Sequence, residues 1–307
     1  LDAAQVALKL PTPKPTEAYQ LAQRLLTETP GSSLAGEARL IMADAYAAVG
    51  QTDDARALYL RTAEANRDNE LGAAAYLRVA QLAYDERKYQ TAIDQLEARL
   101  ASAGTTRGND EVYLLLGRAQ RRLGDRDAAL NTLTDLLNFF PESQVTPQAL
   151  VELSQILFDS GQRDDALYRA QEAAVRFPGV PEVQRNLGQM LGMAGQSVRA
   201  AQALIAADDA GANDPALLLT AARHYKAAGR DEEAVRIYDR MRRSYPIAPE
   251  SLTGGIEAAQ LLAETEATSD ALQRLEELER VTKGSEKHVA VLAATLDIYQ
   301  DMGFHGR

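Results

Sequence analysis

The segment Asp110–Pro141, DEVYLLLGRAQRRLGDRDAALNTLTDLLNFFP, holds two amphipathic helical patterns with a break between them. Val112, Leu115, Leu116, Ala119 and Leu123 recur at helical spacing, and Gly124-Asp125 interrupts the stripe. A second stripe runs through Ala129, Leu130, Leu133, Leu136 and Leu137 and stops at Phe140-Pro141. Glycine ends a helix at little cost because its backbone reaches the left-handed region without a Cβ clash. Proline closes the second helix because it lacks the N–H that the ladder needs. The stretch predicts two helices joined by a tight turn.

The same phase returns along the whole chain. Pro13, Gly50, Arg87, Gly124, Gly161, Gly195, Gly229 and Glu266 follow one another at 34 or 37 residues, and Gly303 continues the series. Each of the eight stands five residues before an alanine: Ala18, Ala55, Ala92, Ala129, Ala166, Ala200, Ala234 and Ala271. Pro30, Pro141, Pro178 and Pro246 each fall seventeen residues after a turn position. Seven residues before the turns stand small residues, Ala43, Ala80, Gly117, Ser154, Gly188, Ala222 and Ala259. Tyr59, Leu96, Leu133, Leu204, Tyr238 and Leu275 share another phase and are large. A fixed period of this length means stacked units, each burying its apolar face on its neighbours. The expected architecture is all-α, one solenoid over residues 1–307. It comprises a partial unit at 1–30, units near 35–67, 72–104, 109–141, 146–178, 181–212, 215–246 and 250–283, and an unpaired helix at 286–302.

The phased pattern of small and large residues resembles the tetratricopeptide repeat family. It is clearest in Leu187-Gly188, Gly195 and Ala200, and in Gly117, Gly124, Ala129 and Pro141. The resemblance implies a right-handed superhelical solenoid whose partners lie in a groove lined by the first helices. Two departures stand out. The family's first-helix tryptophan is absent throughout, and Arg87 and Glu266 replace the turn glycine, which predicts looser or longer turns there. The 37-residue units that end in Phe140-Pro141, Phe177-Pro178 and Tyr245-Pro246 resemble those of bacterial envelope lipoproteins and of assembly, secretion and export factors. The carboxylate clamp of the family's chaperone-binding members needs lysine and asparagine where this chain has Leu40, Asp44 and Gln81, so that role is not expected.

Bulk composition narrows the function classes. The 307 residues carry a net charge of −11, which opposes a general phosphate-binding surface and so nucleic-acid binding. Cysteine is absent, which excludes disulfides, thiolate zinc sites and a thiol nucleophile, and fits the cytoplasm or an exported chain equally. No apolar run approaches the roughly eighteen residues of a membrane span. Leu1–Leu10 reads as the first helix of an incomplete unit. Glu286–Met302 carries Val289, Leu292, Leu296 and Tyr299 on one stripe and Val291 and Ile298 on another. A terminal helix apolar on two sides is a poor cap, so further repeats or another domain are expected to follow. The alternative is a cap that buries its second stripe on another copy.

Chemistry-bearing constellations are sparse. His224, His288 and His305 have no metal-ligand spacing, and His224 reads as a packed or surface residue. Gly254-Gly255 reads as a bend or a close-packing point within a first helix. Asp53-Asp54, Asp164-Asp165 and Glu232-Glu233 look like paired carboxylates, but all three fall in the first turn of a second helix, where negative charge opposes the helix dipole. No catalytic residue, metal or cofactor is expected.

The first helices offer the candidate site. Mapping the family's groove positions places one polar residue in every unit: Asp44, Gln81, Arg118, Gln155, Gln189, Arg223, Gln260 and Asp297. The central units add Arg121, Arg122, Arg185 and Lys226, whereas Asp44, Asp85, Glu264, Asp297 and Asp301 lie toward the ends. Six basic groups on one face of an acidic chain suggest a saddle for an acidic or carboxylate-bearing peptide, with Tyr84 and Phe158 as apolar anchors. The alternative is that these cations pair internally with Glu111, Asp159 and Glu182. Taken together, the sequence reads as a non-enzymatic scaffold that binds other proteins or peptide segments, in the periplasm or cell envelope. A cytoplasmic adaptor or regulator, or a regulatory segment of a larger enzyme, would use the same groove.

Overall fold

A computed structural model of the protein describes residues 1–103, 108–265 and 267–301. Among them are seventeen α-helices and no strand. First and second helices alternate: α1 (Asp2–Lys9) with α2 (Pro15–Glu28), α3 (Ala35–Ala48) with α4 (Thr52–Ala65), and α5 (Glu70–Asp85) with α6 (Tyr89–Ala103). Next come α7 (Asn109–Leu123) with α8 (Arg126–Phe139), α9 (Thr146–Asp159) followed by α10 (Arg163–Arg176), and α11 (Pro181–Met193) with α12 (Ser197–Asp209). The series closes with α13 (Pro215–Ala227) and α14 (Asp231–Ser244), α15 (Pro249–Glu264) and α16 (Thr268–Thr282), and α17 (Lys287–Asp301).

The chain forms two compact units, Leu1–Gly161 and Gln162–Arg307. Within each, every helix packs on the next in sequence. First helices also touch first helices: α1 on α3, α3 on α5, α5 on α7 and α7 on α9 in the first unit, α13 on α15 and α15 on α17 in the second. The core of each unit is thus a layer between first and second helices. All eight of the phased alanines, Ala18 through Ala271, are fully buried in it. The small residue of the first helix faces the large residue of the second. A Cβ added to Gly188 would stand 2.7 Å from Leu204 Cγ, closer than side-chain carbons approach. Gly254 packs in the same way on the Tyr238 ring, so it is a close-packing point inside α15.

The turns share one geometry. Gly50, Gly161 and Gly195 have φ of +80°, +80° and +73°, and Arg87 adopts +62°. The Arg87 N–H donates to the Tyr84 carbonyl at 2.9 Å and Lys88 to Ala83 at 2.8 Å. Gly50 and Gln51 make the equivalent bonds at 3.0 and 2.9 Å. The looser turn expected at Arg87 is therefore not found: the left-handed backbone is kept, with a side chain in place of hydrogen. A Cβ at Gly50, Gly124 or Gly161 meets nothing within 4 Å, so the position is open and only the backbone conformation resists a side chain. Glu266, Gly303 and His305 lie outside the described residues.

Other features follow from electrostatics. Asp53-Asp54, Asp164-Asp165 and Glu232-Glu233 occupy the first turns of α4, α10 and α14, at the positive end of each dipole. Arg99 of α6 is 0% exposed. Its guanidinium donates to Asn109 Oδ1 at 3.0 Å, to the Asn69 carbonyl at 3.3 Å and to the Arg67 carbonyl. It pins the α4–α5 connection through neutral acceptors, and burial pushes its pKa down. In α17, Val291, Ala294 and Ile298 are buried against α15 and α16, while Val289, Leu292 and Leu296 stay exposed. No described helix is long and apolar enough to cross a membrane.

Arg87→Gly is expected to stabilise the protein by about 1 kcal/mol, because a left-handed non-glycine residue costs roughly that much and no contact of the turn is lost. Thermal or urea unfolding of the two chains checks it. Arg99→Met removes three donors and leaves the loop carbonyls without them, and is expected to cost about 3 kcal/mol by the same measurement.

Candidate protein-interaction face

Side chains that point off the first helices reach the next repeat, most often 34 residues on, one helical turn short of the 37-residue period, or 38 residues on, one residue beyond it. In the first unit Arg118 Nε donates to Glu152 at 2.8 Å, a spacing of 34. Arg121 donates to Glu152 at 2.9 Å, to Gln155 at 2.6 Å and to Asp159 at 2.9 Å. Asp44 reverses the polarity, accepting from Arg78 Nε at 2.7 Å across the same 34 residues. It also accepts from the Tyr59 hydroxyl at 2.5 Å, and burial together with this carboxylate pushes the Tyr59 hydroxyl pKa up.

Several candidates in the first unit stay open to solvent. Arg122 is exposed and donates to the Tyr84 hydroxyl at 3.3 Å, with no carboxylate in ion-pair range among the described residues. Gln81 is exposed and donates to Asp85 at 2.7 Å. Tyr84 and Phe158 are half-buried, and Tyr84 stands edge-on to Tyr89 with ring centroids 5.3 Å apart. At the other end of this face α1, α3 and α5 enclose a cleft of about 480 Å³, lined by Leu8, Leu40 and Ile41 together with Lys9, Glu37, Asp44 and Arg78.

The second unit repeats the chemistry with its own set. Arg223 of α13 forks onto Glu257 of α15, its Nε at 3.1 Å and Nη2 at 2.5 Å from the carboxylate. The Tyr238 hydroxyl donates to the same carboxylate at 2.7 Å. Lys226 reaches Glu264 at 3.1 Å, and Arg185 stands 3.6 Å from Asp214. Gln189 is exposed. His224 packs on Gly192, where an added Cβ would stand 2.8 Å from the ring. Burial lowers its pKa, which favours the neutral ring.

The six cations read from the sequence thus divide three and three between the units. Of the counter-ions expected, Asp159 takes part. Glu152, Asp214, Glu257 and Glu264 are the others, in place of Glu111 and Glu182, and Arg122 has none among the described residues. For Arg118, Arg121, Arg223 and Lys226 the signal was present as offsets of 34 or 38 residues between unlike charges, which follow from the repeat; Asp214, 29 residues from Arg185, follows neither. Among the described residues no group of three or more histidines, aspartates or glutamates could hold a metal ion.

Three family models match the sequence. One, described as a tetratricopeptide repeat-like domain, covers residues 3–111, and two described as tetratricopeptide repeats cover 111–143 and 151–215. No curated protein matches the sequence significantly. Among solved structures, the chain is similar to the C-terminal part of a TPR repeat-containing protein from Cytophaga hutchinsonii. The TM-score is 0.61 at 15% identity, covering 82% of this chain and 99% of that one. It is also similar to yeast Tom70, with a TM-score of 0.54 at 16% identity over 94% of this chain. A chain of the APC/C hetero-tetramer Cut9–Hcn1 gives 0.53 at 19% identity over 81% of this chain. The match spans 59% of the Tom70 chain and 46% of the Cut9–Hcn1 chain. At these identities the likeness is one of fold.

Burial pushes the Glu257 carboxyl pKa up, but the Arg223 and Tyr238 hydrogen bonds outweigh it and hold it below the ordinary 4.5. A carboxyl depressed in the folded state contributes stability above its unfolded pKa and loses it as pH falls through the folded one. Wild-type stability is therefore expected to fall more steeply below pH 4.5 than that of Glu257→Gln, with the two curves parallel above it. Urea unfolding at a series of acidic pH values gives the difference.

Proposed function

The chain belongs to the tetratricopeptide repeat family, and from that premise we propose that it is a non-enzymatic scaffold which takes a partner segment along the first-helix face of Leu1–Gly161. Proteins of this family bind other proteins or peptides and are generally non-catalytic. The observation that carries the placement is the continuity of one face. A cleft of about 480 Å³ on α1, α3 and α5 is followed on the same helices and their neighbours by the exposed Gln81 and Arg122 and the half-buried Tyr84 and Phe158. A hollow with an aliphatic floor and charged edges, followed by polar and aromatic side chains, suits an extended or helical segment, with Leu8, Leu40 and Ile41 giving affinity and the polar row register.

The charge preference is narrower than the count of arginines suggests. Arg118 and Arg121 already spend much of their hydrogen-bonding capacity on Glu152, Gln155 and Asp159. Lys9 at the cleft and Arg122 have no carboxylate partner among the described residues, so they are the groups on which an acidic partner would act. Gln155 then fixes Arg121 for the partner and does not contact it. In the second unit Arg185, Arg223 and Lys226 are engaged with acids, leaving Gln189 as the open polar group of the candidate set.

The setting proposed is a bacterial cell-envelope assembly, secretion or export complex. Its support is the 37-residue units closing on Phe140-Pro141, Phe177-Pro178 and Tyr245-Pro246. Crosslinking in native lysate, comparing wild type with Lys9→Glu/Arg122→Glu, tests the face. Both side chains are exposed, so helical content by circular dichroism is expected to stay unchanged. The reading predicts at least a tenfold drop in one specific crosslinked partner. Retention of every partner by the double variant would remove the face from consideration, and fractionation of that partner to the cytoplasm would remove the envelope setting.

A further inference from the structure

A second candidate site lies where the helix connections of the second unit meet, between the α14–α15 connection and the end of α16. The cleft there has a volume of about 460 Å³. Ile247 and Leu252 form one apolar wall, Leu278 and Val281 the other. Ile247 is 94% exposed and Val281 83%. The repeat supplies its own comparison. Eighteen residues after the turn, where this unit has Ile247, the others have Gly31, Asp68, Thr105, Glu142, Gly179, Asn213 and Gly284. The connection needs no apolar side chain for folding, because glycine, acids and amides serve elsewhere in the chain. An aliphatic side chain held almost wholly in water beside a second one calls for a reason outside the packing of the repeat.

The charges around the cleft indicate what would cover it. Arg242 and Lys287 stand on its lips. Arg242 donates through Nη1 to Glu277 at 2.6 Å, leaving its other nitrogens without that partner, and Lys287 has no carboxylate in range among the described residues. Glu277 is held below the usual carboxylate range by the Arg242 hydrogen bond, with Arg274 and Arg280 also contributing. The ionisable groups lining the cleft therefore leave a positive balance, on a chain whose net charge is −11. A second copy of this chain would bring another −11 to the contact. A carboxylate-bearing partner fits better than a like-charged copy.

We propose that this cleft docks a segment of a partner protein that carries a bulky apolar side chain next to aspartate or glutamate. The apolar side chain seats between Ile247 and Val281, and the carboxylate meets Lys287 and the free nitrogens of Arg242. The site shares no residue with the first-helix face of Leu1–Gly161, so either can stand without the other.

The test uses a random peptide library displayed on phage and selected on the immobilised 307-residue chain, with Ile247→Asn as the counter-selecting surface. A polar residue follows the equivalent proline at Pro141-Glu142, so the variant is expected to fold, which circular dichroism verifies. The expected result is enrichment on wild type of peptides with a leucine, isoleucine or phenylalanine beside an acid. Synthetic copies should lose at least tenfold in affinity on Ile247→Asn, on Val281→Asp and on Lys287→Glu. A peptide with lysine in place of the acid should recover binding to Lys287→Glu. Equal selection on wild type and Ile247→Asn overturns the proposal, as do enriched peptides without acids. A wild-type dimer in sedimentation that Ile247→Asn dissociates overturns the partner in favour of a second copy.

Discussion

The close approach of two helices across a fully buried alanine is the constraint on which this molecule depends. Each second helix meets its first helix at the residue five past the turn, and all eight such alanines have no exposed surface. An alanine there lets the helix axes draw together, and the opposing small residue completes the fit. Where that residue is glycine, the gap is filled by the large side chain of the second helix, as Leu204 fills the space at Gly188. Packing of this density leaves no room for one more methyl group without displacing a neighbour. The core is thin, and it is repeated instead of enlarged, so each unit depends on the next for its second apolar surface.

Electrostatics on the first-helix face inherits the same period. Two adjacent first helices present residues one turn apart to a single side chain of the neighbour, so unlike charges recur at offsets of 34 and 38 residues. Arg118 with Glu152, Arg223 with Glu257 and Asp44 with Arg78 obey the first offset; Arg121 with Asp159 and Lys226 with Glu264 obey the second. Half-exposed pairs of this kind contribute modestly to stability, but they fix long side chains in place. The face is consequently ordered and patterned in both signs. It carries a set of oriented carboxylates and guanidiniums together with a few unengaged cations.

The turns, the alternation of small and large residues and the position of each second helix were legible from Asp110–Pro141 and its recurrence, because a repeat averages away the noise that weakens any single pattern. What was missed has physical causes. Arg87 reads as a damaged turn, yet its backbone holds the left-handed conformation, because the hydrogen bonds from Arg87 and Lys88 are independent of the side chain and open space receives it. Glu111 and Glu182 do not serve as counter-ions, because Arg118 reaches Glu152 on the next first helix and Arg185 reaches Asp214 at the start of the first helix after its own. Arg99 carried no signal, since a buried guanidinium satisfied by carbonyls depends on loop conformation that no side-chain pattern encodes.

Regularity also changes how an exception is interpreted. In a globular domain a single exposed isoleucine is ordinary, because much of any protein surface is apolar. In a repeat, equivalent positions in sibling units recur in the same phase of the connection, so the residue types found there show what folding tolerates. Arg87 departs from its siblings in residue type and conforms in backbone, which marks it as tolerated. Ile247 departs in the opposite sense: its connection needs no apolar group, and the side chain stands in solvent and lines one cleft with Val281 and Lys287. The first kind of departure costs stability and nothing else. The second adds apolar surface and charge at one place without serving the core, and that combination makes the end of α16 a place for another molecule to bind.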